Sequence, residues 1–367
     1  MLKLSRMSGS NPLDELRRAI DAVDDELLDL LNRRAALTIE VGEVKRREGS
    51  DSEFYRPDRE AKILRRLAEA NTGPMPNEQL VRLVREIIST CLSLEKRLQV
   101  GYLGPAGTFT HDALLKHFGG AVEAVSASSI ADVFREVESK ACDYGVVPIE
   151  NSLGGAVNLT LDSLARSPLR ICAEVNLEIH HQLLSKANSV AELDCVYAHE
   201  QAFDQCRAWL HNHLPAAALV PLASNAAAAA RAAKEPTSGA IASRHAGELY
   251  GIKALAENIE DNPHNTTRFI VLGRSSPGQT GDDRTSIMFT MPNKPGALHD
   301  ILSVLSDRGI SMSRIESRPR RAGDWDYIFF VDLLGHADNE TVSAALAEIE
   351  SRAAVFKLLG SCPRAIL

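Results

Sequence analysis

Residues 98–110 read Leu98-Gln99-Val100-Gly101-Tyr102-Leu103-Gly104-Pro105-Ala106-Gly107-Thr108-Phe109-Thr110, and here the period of the chain changes. Before this stretch apolar residues recur every three or four positions, as in helices. After it, short apolar runs end in polar turns, as strands do. The switch separates a helical segment over 11–98 from an α/β segment that begins at 99. The run Ser276-Pro277-Gly278-Gln279-Thr280-Gly281 reads as a linker, so the second segment is expected over 99–275 and a third over 284–364. Three units suit a chain of 367 residues, since domains average roughly 150.

Working toward the N-terminus, Leu13, Leu16, Ile20, Val23, Leu27, Leu30, Leu37, Val41 and Val44 alternate steps of three and four. That spacing predicts one helix of roughly 35 residues, about 50 Å long. Asn11-Pro12 supplies its cap and Gly49-Ser50 follows its end. Shorter helices are expected from Pro57 to before Gly73-Pro74, and from Asn77 to Leu98. The long helix has no partner of equal length in its own chain, so it should pair with a second copy. The stripe is interrupted once, because Arg34 stands where the pattern asks for an apolar residue. Lys45 lies eleven residues on, within about 20° of the same face. Either these side chains snorkel to a solvated edge, or they form a pocket for a small polyanion, a task suited to the forked guanidinium of Arg.

Toward the C-terminus, strands are expected over Gln99–Leu103, Tyr144–Pro148, Cys195–Ala198, Ala218–Leu222, Gly239–Ala242 and Arg268–Leu272. Helices interleave with them, one from Thr108 to Phe118 and one after Gly155, and Arg170 to Leu184 reads as a long connecting run. About 180 residues of this kind are enough for two lobes around a cleft. Turns such as Gly104–Thr108 and Pro148–Ser152 open into helix N-termini, which favour anions. The glycines at 101, 104 and 107 do not fit GxGxxG and no GK[ST] follows, which excludes dinucleotide and P-loop readings. In the tail, Ser286–Met291, a helix from Gly296, Ser311–Ser317, Tyr327–Leu333, a helix from Asn339 and a strand near Phe356 spell βαββαβ, a ferredoxin-like order.

Composition excludes several functions. Hydrophobic residues make up 44% and charged residues 25%, so the chain is globular. The net charge is −8, and Met1–Arg97 balances 18 Lys/Arg against 18 Asp/Glu, so no segment has the basic surplus of a nucleic-acid binder. The longest charge-free stretch, Leu214–Ala230, holds Pro215, Pro221, Ser224 and Asn225 and does not suit a membrane span. The first seven residues lack the apolar core of a signal peptide. Six cysteines without a CxxC pair read as reduced thiols, with no zinc site. A soluble, cytoplasmic protein is expected.

Asn11-Pro12-Leu13, Leu16-Arg17, Leu30-Leu31-Asn32-Arg33-Arg34, Val41-Gly42-Glu43-Val44-Lys45 and Asp58-Arg59-Glu60 resemble the all-helical chorismate mutases over nearly the whole first segment. The resemblance implies an intertwined homodimer, or a higher homo-oligomer, that rearranges chorismate to prephenate. It would do so with Arg17, Arg34, Lys45, Arg59, Glu60 and Glu95 around the substrate and with no cofactor. Arg17 and Arg34 would hold carboxylates, Lys45 a carboxylate and the ether oxygen, and Glu60 the ring hydroxyl. Arg56 stands where some members carry Asp, and Cys91 and Glu95 where some carry Ser and Gln. Glu95 would then have to be protonated in order to donate to the ether oxygen.

Gly104–Thr110, Val147-Pro148-Ile149-Glu150-Asn151-Ser152 with Gly155, and Asn265-Thr266-Thr267-Arg268-Phe269 resemble prephenate dehydratase. That implies a two-lobed, periplasmic-binding-protein-like α/β fold converting prephenate to phenylpyruvate. Thr267, Glu150 and Asn151 would be catalytic, with Glu150 as a possible proton source. Thr108, Thr110, Ser152, Gln205, Thr266 and Arg268 would bind substrate. His199, in Tyr197-Ala198-His199, fits a site or a helix start equally well. Pro295-Gly296-Ala297-Leu298 and Ile315-Glu316-Ser317-Arg318-Pro319 resemble the ACT domain attached to such dehydratases. The resemblance implies that Asn293, Gly296, Ala297, Leu298, Glu316, Ser317 and Arg318 bind L-phenylalanine. A bifunctional enzyme is the reading; a non-catalytic metabolite sensor of the same architecture is the alternative.

Overall fold

The computed structural model describes residues 11–47, 55–291, 294–319 and 327–366. Gly49, Ser50 and Asn293 lie outside the described residues. The first unit is three helices: α1 (Pro12–Arg47), α2 (Pro57–Ala70) and α3 (Asn77–Glu95). From Arg34 onward α1 packs on α3, and α2 packs on the other side of α3. Its N-terminal half is bare. Leu16, Ile20 and Leu30 are 63%, 60% and 59% exposed, and Gly42 is the one buried residue of the helix.

The second unit begins with β1 (Gln99–Leu103), α4 (Phe109–Phe118), β2 (Glu123–Ala127), α5 (Ile130–Glu138), β3 (Tyr144–Asn151), β4 (Gly155–Ala156), α6 (Asn158–Arg166) and β5 (Arg170–Glu178). The chain then crosses to β6 (Gln182–Ser185), β7 (Cys195–Ala198), α7 (Glu200–Gln205), α8 (Arg207–His213), β8 (Ala218–Pro221), α9 (Asn225–Ala232), β9 (Ser238–Ala242), α10 (Arg244–Tyr250) and β10 (Lys253–Ala256). It returns as β11 (Thr266–Gly273). One sheet has the order β2-β1-β3-β11-β5, with β4 on β3, and the other β10-β6-β9-β7-β8. These are two lobes joined by two crossings.

The run over Arg170–Leu184 is therefore not a single connector, and this corrects the sequence reading. It is one strand of each lobe, with residues 179–181 passing between them. The strand β5 escaped notice because Ile171 to Val175 are all buried: α4 covers it from the helix side and the third unit from the other. A strand covered on both faces loses the alternation that marks strands. Three further strands were missed: β2 and β10, which are mostly exposed edges, and the two-residue β4.

The third unit is β12 (Asp283–Thr290), α11 (Ala297–Asp307), β13 (Met312–Pro319), β14 (Tyr327–Leu334), α12 (Glu340–Arg352) and β15 (Val355–Pro363). Its sheet order β13-β14-β12-β15 is that of the ferredoxin-like fold. The helices cover one face around Ile287, Ile301, Val331 and Ile349. The other face shares a core with the first lobe, where Met288, Phe330 and Leu359 join Leu161, Leu164 and Ile171. Arg65 of α2 ties the helical unit to this junction, donating to Thr280 Oγ1 and to the carbonyls of Asp282 and Arg364 at 2.8–3.1 Å. Among the described residues, no helix is long and apolar enough to cross a membrane.

Candidate active sites

On the helical unit, the two cations that broke the apolar stripe come to α3. Arg34 Nη1 lies 3.5 Å from the Ile87 carbonyl, and Lys45 Nζ is 3.0 Å from Glu95 Oε1, whose side chain is 3% exposed. Gly42 makes this possible: a Cβ there would stand 2.6 Å from Glu95 Cγ, so only glycine lets the carboxylate lie against α1. The partner that the structure gives the Glu95 carboxyl group is the Lys45 ammonium, which shares its buried face.

Glu60 is buried on α2, with Arg85 Nε 3.3 Å away. Burial raises its carboxyl above the usual range, although Arg85 and a hydrogen bond with Tyr55 pull the other way. Arg59, one residue earlier, turns outward to a shallow basin with Arg56, Lys62 and Arg66. Arg17 is 66% exposed, paired to Asp14, and about 25 Å up the helix from Arg34. One chain thus pairs Lys45 with Glu95 and sets Arg34 against the same helix about 12 Å away at Ile87, while Arg17 stays apart from them.

Between the two lobes lies a cleft of ≈ 220 Å³. Thr267 and Asn151 face it from adjacent strands, in register, and Asn151 Nδ2 donates to Thr267 Oγ1 and to Asn265 Oδ1, both at 2.8 Å. Thr108, Thr110 and Gln205 line it as well. Ser152 and Thr266 do not line it; they zip the loop at its edge, with Thr266 N donating to Ser152 Oγ at 3.0 Å.

Glu150 and Arg268 need correcting. Side chains alternate along a strand, so neighbours of Asn151 and Thr267 must face the opposite way. The two residues pair in register, on the side that meets the third unit. There Arg268 Nε donates to Glu174 at 2.9 Å and Nη1 to Asp332 of β14 at 2.5 Å, with Glu150 at 3.9 Å. Neither lines the cleft. The sequence reading put both in the cleft; the structure puts them on the opposite face of the strands, against the third unit.

Sequence reasoning missed His181 and Asn265. His181 Nε2 meets Gln205 Oε1 at 2.7 Å, while His181 Nδ1 and Asn265 Nδ2 are buried without a partner among the described residues. Burial lowers the His181 imidazole, outweighing Gln205 and Glu260, so it favours the neutral form. Also missed were the caps Ser224 and Ser243. With Thr108 and His199 they put the N-caps of α9, α10, α4 and α7 on one cleft. His199 is thus both a helix start and part of the wall. A serine before an alanine-rich run was the available signal for Ser224. None of the residues lining the cleft is Lys or Arg. Helix N-termini carry partial positive charge, so the cleft attracts an anion without a cationic side chain.

In the third unit, Gly296 caps α11 and Ala297 and Leu298 begin it, while Glu316 and Ser317 stand on edge strand β13. The register Thr290–Ile328–Arg318 puts both groups at one end of the sheet. Arg318 is engaged elsewhere: Nη1 donates to Asp162 at 2.7 Å and to the Asn158 carbonyl at 2.6 Å in α6. A Cβ at Gly296 would meet nothing within 4 Å among the described residues, and the requirement for glycine comes from φ +82°.

Three family models match the chain: Chorismate mutase type II over residues 16–96, Prephenate dehydratase over 100–277 and ACT domain over 285–351. The bifunctional chorismate mutase/prephenate dehydratase of Pseudomonas aeruginosa is 46% identical over 98% of this chain and its own full length. That of Stutzerimonas stutzeri is 47% identical over the same shares. The crystal structure of prephenate dehydratase in complex with L-Phe from Arthrobacter aurescens superposes with a TM-score of 0.68 at 36% identity, covering 73% of this chain and 90% of that one. On this agreement in all three units, the chain belongs to the family of bifunctional chorismate mutase/prephenate dehydratases.

Proposed function

We propose that the chain rearranges chorismate to prephenate on its helices and turns prephenate into phenylpyruvate in its cleft, with L-phenylalanine as feedback effector on the third unit. The observation that carries this reading is Thr267. Its Oγ1 accepts from Asn151, so its own proton is free for a group in the cleft.

The first reaction is a unimolecular rearrangement, which needs compaction of a dicarboxylate and charge on the breaking ether oxygen. Arg34 and Lys45 supply that charge. A second copy covers the bare stripe of α1 and carries its Arg17 to the pocket, which makes the working form a homodimer or larger.

In the second reaction one carboxylate leaves as carbon dioxide, and its electron pair enters the ring. The hydroxyl on the opposite ring carbon departs, taking up a proton to leave as water. Thr267 donates the hydrogen bond that this hydroxyl needs, and aromatisation drives the step. The remaining carboxylate lies toward the helix N-termini. The test is to supply chorismate and follow prephenate and then phenylpyruvate. A protein that bound chorismate without consuming it would be the sensor, and the reading would be wrong.

A further inference from the structure

The strand β11 is shared between catalysis and the third unit. Thr267 looks into the cleft and Arg268 looks away, so the two side chains are carried by one short piece of backbone. The register of β11 on β3 shifts at this point, between Arg268 and Phe269, a bulge-like irregularity that leaves Ile149 of β3 unmatched. Bulges re-aim neighbouring side chains, and their angle depends on what holds them. Here Arg268 is held by two carboxylates, Glu174 of β5 and Asp332 of β14. Glu174 also accepts from Arg284 Nη1 at 2.8 Å and from the Ala365 amide at 3.0 Å. Asp332 accepts from Ser286 Oγ at 2.6 Å and lies opposite Arg314 of β13 in register. Arg314 Nε in turn stands 3.5 Å from Glu150 Oε2.

We propose that Asp332, in the third unit, is a positioning residue for the dehydratase reaction, acting through Arg268 to set the direction of Thr267. Resting on the dehydratase reading above, this makes the third unit part of the catalytic apparatus and not only a regulator attached to it. It also gives the effector a route. Glu316 lies two residues from Arg314 and so on the same side of β13. A ligand that shifts β13 shifts Arg314, then the carboxylates of Asp332 and Glu150, then Arg268. The buried charges make the arrangement stiff: Arg268 Nη2 already lacks a partner, so losing Asp332 forces the guanidinium to move.

The test is Asp332→Asn in the full chain, with Asp332→Glu as the conservative rescue. The expected result is a fall in dehydratase kcat of between about tenfold and a hundredfold, the effect of a misplaced reacting group. KM for prephenate should be little changed, because Asp332 does not touch the cleft. Mutase turnover in the same preparation should be unchanged and reports that the chain is folded. Phenylalanine should still bind by calorimetry but inhibit less, and Asp332→Glu should recover part of kcat. If Asp332→Asn does not fold, Ser286→Ala removes one hydrogen bond from the same carboxylate and should lower kcat by a smaller factor. A folded Asp332→Asn protein with normal kcat and normal inhibition overturns the proposal, as does a normal kcat with a lowered melting temperature. A wild-type chain that makes no phenylpyruvate refutes the functional reading itself, a result independent of any variant.

Discussion

The helical unit and the cleft each receive a dicarboxylate, and they do so with different chemistry. Arg34 and Lys45 on α1 bring full positive charges to the first. The cleft offers Thr267, Asn151, Gln205 and the N-caps Thr108, His199, Ser224 and Ser243, with no Lys or Arg in its walls. The reactions account for the contrast. In the rearrangement negative charge grows on an ether oxygen, so a nearby ammonium helps the transition state more than the substrate. In the decarboxylation a carboxylate loses its charge as it leaves. A guanidinium on that group would bind the substrate more tightly than the transition state and slow the step. Diffuse charge at helix ends holds an anion in place without this penalty.

The sharpest way to break the comparison is to remove one neutral group from the cleft. Thr267→Ala should lower phenylpyruvate formation by about 10²–10⁴-fold, the range for a lost proton-donating partner, and leave mutase activity intact. A quantitative assay of both products from chorismate decides it, and a loss under fivefold would mean that Thr267 is not the hydroxyl-side donor. Next in size is Arg34→Ala, expected to cost the mutase about 10²–10³-fold, as for a lost electrostatic stabiliser. The cleft should be indifferent to it. Mixing that protein with Arg17→Ala should restore part of the activity, since one of the two mixed pockets keeps both arginines. Exchanged heterodimers that stay inactive would exclude a shared pocket.

The same contrast explains what could be read from sequence. Arg34 and Lys45 were legible because a charge breaks an apolar period that nothing else breaks. Thr267 and Asn151 were legible only through their motifs, since a neutral polar residue at a strand end is ordinary. The two charged residues of those motifs misled: Glu150 and Arg268 sit beside Asn151 and Thr267, but a strand can aim only one of each pair at the cleft. Applying that parity would have sent them to the other face, although not to Asp332, whose approach depends on how the third unit docks. Strand β5 stayed hidden for the same reason, because a partner far along the chain covers the face that would have shown the alternation.

Ionic strength should separate the sites by a smaller margin. Raising salt from about 0.1 M to about 1 M shortens the screening length from about 10 Å to about 3 Å. Mutase kcat/KM should fall several-fold, because exposed cations such as Arg17 lose their reach. The dehydratase kcat/KM should fall less, since helix-end charges act at contact. Equal slopes for the two activities would contradict the idea that only one site depends on side-chain cations.

The smallest effect concerns a pair where α4 of one lobe meets α10 of the other. His245 Nδ1 lies 2.5 Å from Asp112 Oδ1, with Glu248 on the same helix and the ring of His111 at 5.0 Å. The hydrogen bond to Asp112 raises the His245 imidazole above its ordinary value, against a partial loss from burial. Burial, with His245 second, lowers the His111 imidazole and so favours its neutral form. A raised folded-state pKa means that protonated His245 favours the joined lobes. Its contribution is complete below the unfolded value of about 6.5 and disappears as pH rises through the raised value. The pair is partly solvated and should be worth at most about 1 kcal/mol. That corresponds to a decline of about 2–4 °C in melting temperature at most for a unit of this size. Thermal unfolding of wild type and His245→Gln across that range decides the matter: the variant should lack the decline, and parallel profiles would show that the pair does not join the lobes.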